Sequence, residues 1–171
     1  IDSVISAEDK RFESHFGIDL LAIGRAAWTN IKARSFKEGG STITQQITKN
    51  LLFTQEKRFD RKFAEVFAAF ALEKEYSKEE LFELYVNTIY FGSGYYGIYD
   101  AAQGYFGKQP SELTDYEAVM LAGIPNAPSI YSLDNHIDLA KKRLSVVLER
   151  MISCGKITEQ EADAILKEAE K

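Results

Sequence analysis

Three segments of this chain open on a hydroxyl residue followed three positions later by glutamate: Ser77/Glu80, Thr114/Glu117 and Thr158/Glu161. Each pair reads as a capping box, in which the two side chains satisfy one another's free backbone N–H groups at a helix start. The apolar spacing behind them agrees. Leu81, Leu84, Tyr85 and Ile89 follow the first box, and Ala118–Ala122 follow the second. Further upstream, Asp19 precedes Leu20, Ile23, Ala27 and Ile31, which recur at three- and four-residue steps and so share one helical face. Thr44 to Phe53 and Phe63 to Leu72 also read as helices, the second apolar nearly all round and therefore expected to be central. A last long helix, Leu139–Met151, should stop near Gly155. No segment alternates like a strand and no internal repeat occurs, so the expectation is a mainly α chain. Glycine clusters at Gly39-Gly40 and within Phe91–Gly97, and the pair Pro125 and Pro128, mark the loops, with two lobes expected to meet at the glycine-rich joints.

Composition bounds the alternatives. The 171 residues are 45% hydrophobic, enough for one domain spanning 1–171 with a real core. Only 11 Gly and 3 Pro exclude collagen-like and low-complexity chains. Apolar runs such as Ala118–Ile124 are far short of the roughly 20 residues of a membrane-spanning helix. A single cysteine, Cys154, excludes an internal disulfide framework and a cysteine-built metal site. The start, Ile1-Asp2-Ser3, has neither Met nor signal peptide, so the chain is expected to be a piece excised from a longer one. The net charge of −5 is unevenly placed: residues 1–75 sum to +1, the remainder to −6. Lys49, Lys57, Arg58, Arg61 and Lys62 concentrate the positive charge, which suits a local anion site rather than a nucleic-acid surface, or else ordinary solvated charge on helix surfaces.

Three stretches could carry chemistry. In Glu8-Asp9-Lys10-Arg11-Phe12-Glu13-Ser14-His15, a helix would put Glu8, Phe12 and His15 on one face, where an aromatic and an imidazole tune a carboxylate for acid/base work. By spacing alone they are as readily capping and surface groups. Gly39-Gly40-Ser41-Thr42-Ile43-Thr44-Gln45-Gln46 offers hydroxyls, amides and a helix N-terminus suited to sugars or phosphate oxygens, or else a polar N-cap turn. It is not a P-loop, because the Gly-Lys-Ser/Thr order is missing. The basic run ends in Arg61-Lys62-Phe63-Ala64-Glu65, bringing a second carboxylate. Two carboxylates alone would suit a glycosidase. Added cations change that logic, because Lys and Arg stabilise a departing phosphate directly and leave one carboxylate to act as base.

These residues resemble the peptidoglycan glycosyltransferases, found in class A penicillin-binding proteins and as monofunctional enzymes. The resemblance runs in order from about Ile5 to Met151. It is carried by Glu8-Asp9-x-x-Phe12-x-x-His15-x-Gly17, by Gly40-Ser41-Thr42-Ile43-Thr44-Gln45-Gln46, and by Arg61-Lys62-x-x-Glu65. Ser77-Lys78 through Leu84-Tyr85-Val86-Asn87 to Gly92, and Lys142-Arg143 with Val147-Leu148, complete it. It implies a mainly α, lysozyme-like fold with a globular head and a small membrane-associated jaw. It also implies polymerisation of lipid II at the outer face of the bacterial cytoplasmic membrane, with inversion and release of undecaprenyl pyrophosphate.

On that resemblance Glu8 is the base and Glu65 the second glutamate. Lys49 and Arg61 attend the donor pyrophosphate, with Lys57 or Arg58 adding a further cation. Ser41, Thr42, Gln45, Gln46, Asn50 and Arg25 are substrate-binding, and Asp9, Phe12 and His15 support the base. No cofactor is required, and an Mg or Mn ion would sit on carboxylate and pyrophosphate. The implied partners are lipid II, the lipid-linked glycan chain and the membrane surface, not nucleic acid, with an upstream transmembrane helix and a transpeptidase domain as candidate neighbours. Lys142 stands where the family often has arginine, which keeps the charge and loses the planar fork. Leu20, Leu21, Trp28, Phe36, Leu51, Leu52 and Phe53, mixed with basic residues, suit either a core face or an anionic membrane surface, and the resemblance favours the membrane. The competing readings are a lysozyme-like hydrolase or lytic transglycosylase, motivated by Glu8 and Glu65, and an inactive interaction module, which the intact Glu8 argues against.

Overall fold

A computed structural model describes residues 1–35, 39–52 and 59–168, with 52 and 59–61 described as helix only. Ten α-helices occur among the described residues. They are α1 (Asp2–Glu8), α2 (Leu20–Ala33), α3 (Ile43–Leu52), α4 (Phe59–Glu75), α5 (Lys78–Thr88), α6 (Gly97–Phe106), α7 (Asp115–Gly123), α8 (Pro128–Tyr131), α9 (Leu133–Ser153) and α10 (Glu159–Glu168). Short 3-10 turns at Phe12–Ser14, Pro110–Glu112 and Ile124–Asn126 link some of them. No strand is present among the described residues, only two isolated bridges, Phe16 to Ile18 and Tyr90 to Tyr96. The architecture is mainly α, as the helical spacing predicts.

All three capping boxes form. Glu80 Oε2 accepts from Ser77 N at 2.8 Å, Glu117 Oε2 from Thr114 N at 2.9 Å, and Glu161 Oε2 from Thr158 N at 2.7 Å. The serine and threonine hydroxyls accept in return from the glutamate N–H groups. Asp19 caps α2 by accepting from Ala22 N at 2.7 Å. At the other end of the chain, Gly155 takes φ +68 just past α9, and Lys156 N closes back onto Met151 O at 2.9 Å, the expected left-handed stop.

The chain divides into two compact units, Ile1–Lys10 with Val86–Lys171, and Arg11–Tyr85. The joints are not the glycine clusters that the sequence suggests. One follows Lys10 and the other falls inside α5, which the Ser77/Glu80 box starts and which runs through Tyr85 without a break. In the larger unit α1, α7, α9 and α10 pack around Ala7, Val119, Met120, Ala122, Leu144, Val147, Met151 and Ile165. Helix α9 bends at His136, whose φ −143 and ψ 49 are not helical. Gly97 is fixed by its surroundings: at φ +82, a Cβ would lie 2.5 Å from Asn87 O.

In the smaller unit α3 packs on α4, with Ile43, Ile47 and Ala69 fully buried. The expectation that Phe63 to Leu72 lies central on all sides is not met. Phe63 and Phe67 are exposed, and the buried stripe is instead Glu65, Ala69 and Glu73, four residues apart. Polar partners on the facing elements make that inversion possible. Helix α2 is inverted in the same way. Ala26 is its buried residue, whereas Leu20, Leu21, Ile23, Trp28 and Ile31 face outward. The ordinary core-face reading of that stripe therefore fails. Phe36 and Phe53 lie outside the described residues, as does the side chain of Leu52.

Candidate active site

The first motif does not form one helix. Helix α1 stops at Glu8 because Asp9 leaves helical geometry at φ −154, ψ 72, and Phe12 begins a separate 3-10 turn. Arg11 then donates from Nε to Asp19 Oδ2 at 2.8 Å and from its Nη2 to Oδ1, tying the turn to the start of α2. Glu8, Phe12 and His15 consequently do not share a helical face. Glu8 belongs to the larger unit, whereas Phe12 and His15 belong to the smaller.

In the larger unit the Glu8 side chain is 6% exposed, and its Oε1 lies 3.8 Å from Arg143 Nη2 on α9. Asp9, next in the chain, is buried as well. The Arg143 side chain is held by Gly123 O, which accepts from Nε at 3.4 Å, and by the Tyr131 ring, whose centroid lies 5.8 Å from the guanidinium carbon. One helical heptad further along α9, Arg150 donates to the carbonyl of Ala7 at the C-terminal end of α1. Cations at that end of a helix meet its negative pole. Sequence reasoning placed Arg143 in the fifth motif and gave it no role. Its partner lies at the opposite end of the chain, and no local pattern could have revealed it.

In the smaller unit the second motif is largely absorbed by its own turn. Thr42 Oγ1 accepts from Gln45 N and Gln45 Oε1 accepts from Thr42 N, both at 3.1 Å, a capping box with glutamine in the third position. Thr42 Oγ1 also donates to Gly17 O at 2.6 Å. Gly40 is required because a Cβ there would sit 2.9 Å from Ile23 Cα, so the close approach that it permits is to α2. Both Thr42 and Gln45 are buried, whereas Ser41, Lys49 and Asn50 are exposed. Gln46 is half-buried and accepts from the Tyr85 hydroxyl at 3.4 Å.

Lys62 joins the second and third motifs. Its Nζ lies 3.3 Å from Ser41 Oγ and 3.1 Å from Glu65 Oε2, while Glu65 O accepts from Thr48 Oγ1 at 3.4 Å. The sequence counts Lys62 in the basic run and in the third motif but gives it no substrate role of its own, although the three-residue step to Glu65 can be read there. Arg61 lies in the first turns of α4 and its side chain is outside the described residues, as are Lys57 and Arg58 altogether. Arg25 is exposed on α2.

A second buried carboxylate braces this motif. Glu73 accepts from Thr44 Oγ1 at 2.6 Å and pairs with Lys78 Nζ at 2.7 Å. Lys78 also donates to His15 O at 2.8 Å and lies 4.6 Å from the centroid of the Phe12 ring, against whose edge His15 packs. Among the described residues, no group of three or more His, Cys, Asp or Glu is placed to hold a metal ion, and no helix is long and apolar enough to cross a membrane.

A family model described as transglycosylase matches residues 1–152. The chain is 46% identical to penicillin-binding protein 1A of Neisseria flavescens, over 98% of this chain and 21% of that protein. It is 47% identical to penicillin-binding protein 1F of Bacillus subtilis, over 94% of this chain and 22% of that one. Penicillin-binding protein 1A of Aquifex aeolicus is 46% identical over 98% of this chain and 23% of its own length. A 2.6 Å crystal structure of penicillin-binding protein 1A from Haemophilus influenzae aligns with TM-score 0.48 and 32% identity, over 74% of this chain and 16% of that one. The chain spans about a fifth of the length of the curated relatives that it matches. It belongs to the transglycosylase family, the peptidoglycan glycosyltransferases.

Proposed function

We propose that this chain elongates glycan strands by consuming lipid II, with Glu8 as general base. The Glu8 carboxylate takes the proton of the acceptor's N-acetylglucosamine 4-hydroxyl. The freed oxygen attacks the anomeric carbon of the lipid-linked chain from the face opposite the pyrophosphate. The bond from that carbon to the phosphate oxygen breaks, and undecaprenyl pyrophosphate leaves with the electron pair, so the configuration inverts. A base of this kind is worth about 10²–10⁴-fold.

On the smaller unit, Lys49, Arg61 and Lys62, with Lys57 or Arg58, are assigned to the developing charge on the donor pyrophosphate. Glu65 is assigned to holding Lys62 in place. The observation that carries the reading is that Lys62 Nζ stands beside both the Ser41 hydroxyl and the Glu65 carboxylate. A cation set on a hydroxyl-bearing loop suits a phosphate leaving group, and a hydrolase has little use for it. The exposed apolar residues of α2 and α4 support work at a lipid surface, where the substrate's tail remains. The outer face of the cytoplasmic membrane is assigned on the family resemblance. The length of the relatives supports a longer parent chain of which 1–171 is the glycosyltransferase domain.

Labelled lipid II in detergent tests the reading. Growth of polymer is expected from the native chain. Glu8→Gln, which removes the base and little volume, should lose turnover by about 10²–10⁴-fold. Degradation of finished glycan without polymerisation would overturn the synthetic reading, and wild-type turnover in Glu8→Gln would overturn the assignment of the base.

A further inference from the structure

Arg143 is an expensive residue to bury. It is 8% exposed, and its Nη2 makes no hydrogen bond. A buried guanidinium with an unmade hydrogen bond costs stability, and an ion pair seldom repays the desolvation in full. Burial and the nearby Arg150 both pull the guanidinium below its ordinary value, while Glu8 and Tyr131 pull it back. Room for the side chain is kept by Gly123, where a Cβ would lie 2.9 Å from Arg143 Cγ. Packing alone does not explain a charge held at such cost beside the Glu8 carboxylate.

We infer that Arg143 is a positioning residue for Glu8: anchored by Gly123 O and Tyr131, its guanidinium holds the carboxylate ionised and in place at the end of α1. The inference rests on the reading of Glu8 as the base. At 3.8 Å the contact is an ion pair and not a direct N–H···O bond, so the cation fixes charge and place without a hydrogen bond of its own to that oxygen. Arg150, held to the Ala7 carbonyl, fixes the backbone that carries Glu8. Among the described residues, the charged and titratable groups that act on Arg143 besides Glu8 are Arg150 from α9 and Tyr131 from α8, and Asp9 follows Glu8 in the chain. From α7, the Arg143 side chain meets the Gly123 carbonyl.

A cation within about 4–6 Å favours the ionised form of a carboxylate by 1–3 pH units. Arg143→Gln should therefore move the acid limb of the kcat profile for lipid II polymerisation upward by about one pH unit or more, roughly a tenfold loss on that limb. Arg143→Lys keeps the charge and loses the fork, so its acid limb should stay near wild type while kcat falls several-fold with KM unchanged. Thermal melting of each variant separates lost fold from lost function. If Arg143→Gln does not fold, Arg143→Lys decides alone.

An unshifted acid limb in folded Arg143→Gln would overturn the inference. So would a rise in KM at unchanged kcat in Arg143→Lys, since that marks a substrate contact. Glu8→Gln measured alongside separates the two readings. Retained turnover there removes the base assignment and with it the inference, whereas lost turnover there with an unshifted limb in Arg143→Gln removes the positioning role alone.

Discussion

Glu65 and Phe67, two positions apart on α4, have exchanged the places that their chemistry would assign: the carboxylate residue is 2% exposed and the phenylalanine 73%. The helix turns about 200° between them, so one face cannot serve both. Burial on the Glu65 side is supported by Lys62, Thr48, Thr44 and Lys78, which meet the acidic groups of Glu65 and Glu73 or their backbone. On the other side nothing in water repays exposing Phe63 and Phe67, and an apolar medium would repay each by about 1.5–3 kcal/mol. Replacing both by Ser should lower co-sedimentation with anionic vesicles at least tenfold while leaving the melting temperature unchanged or higher. A large loss of melting temperature would show the two rings to be core.

Lys78 illustrates the converse case, a charge whose loss is felt in stability. It pairs with the buried Glu73, donates to His15 O and lies over Phe12, so it binds the start of α5 to the first-motif turn. Among the described residues, Lys78→Met leaves Glu73 with Thr44 as its remaining side-chain donor and should cost about 3–5 kcal/mol. Adding Glu73→Gln should restore a substantial part of that loss. Denaturant melts of the two single variants and the double variant measure the coupling directly.

The Arg11 hydrogen bond holds the Asp19 carboxyl at about 2, below its ordinary 3.8, with the Ala22 N–H and the Arg11 charge acting in the same sense against burial. The folded value is the lower one, so the stabilisation is complete above about pH 4 and is lost as pH falls toward 2. It amounts to something on the order of 2 kcal/mol. Asp19→Asn keeps a cap for α2 and removes the titration. Its stability should vary less than wild type between pH 4 and 2, and the two curves should converge at the acid end.

Lys62 offers a cleaner test of the anion site than its buried neighbours. More than half of its side chain is exposed, so its pair with Glu65 contributes little to the fold, within about 1 kcal/mol. Lys62→Ala should raise KM for lipid II roughly tenfold at nearly constant melting temperature, and Lys62→Arg should keep most of the affinity. Binding of labelled lipid II together with kinetics distinguishes a lost phosphate contact from a misfolded helix.

What the sequence made legible was local. The capping boxes at Ser77, Thr114 and Thr158, the Asp19 cap and the Gly155 stop each depend on residues within one helical turn, and all of them form. Periodicity located α2 and α4 but said only that a face existed, not whether protein or solvent met it. The outward Trp28 and Phe67 look in sequence like any core residue. The Glu8, Phe12 and His15 alignment failed for a different reason. It assumed that the helix continues through Asp9, and the pull of Asp19 on Arg11 turns the chain instead. Thr42 and Gln45 were legible as polar and illegible as each other's partners, since capping and ligand binding use the same atoms. Arg143 was invisible as a site residue because its significance lies in what another element brings against it, and Lys62 was legible as part of a basic run but not as the partner of Ser41.

The clasp between α9 and the end of α1 also sets an order in time. Glu8 emerges from the ribosome long before Arg143, which pairs with it, and Arg150, which holds the Ala7 carbonyl beside it. Until α9 has been synthesised and has closed over α1, that carboxylate is without the Arg143 contact. An unfinished chain can therefore carry the residue without yet having the reactivity, and translation completes the smaller unit before it completes the setting of Glu8.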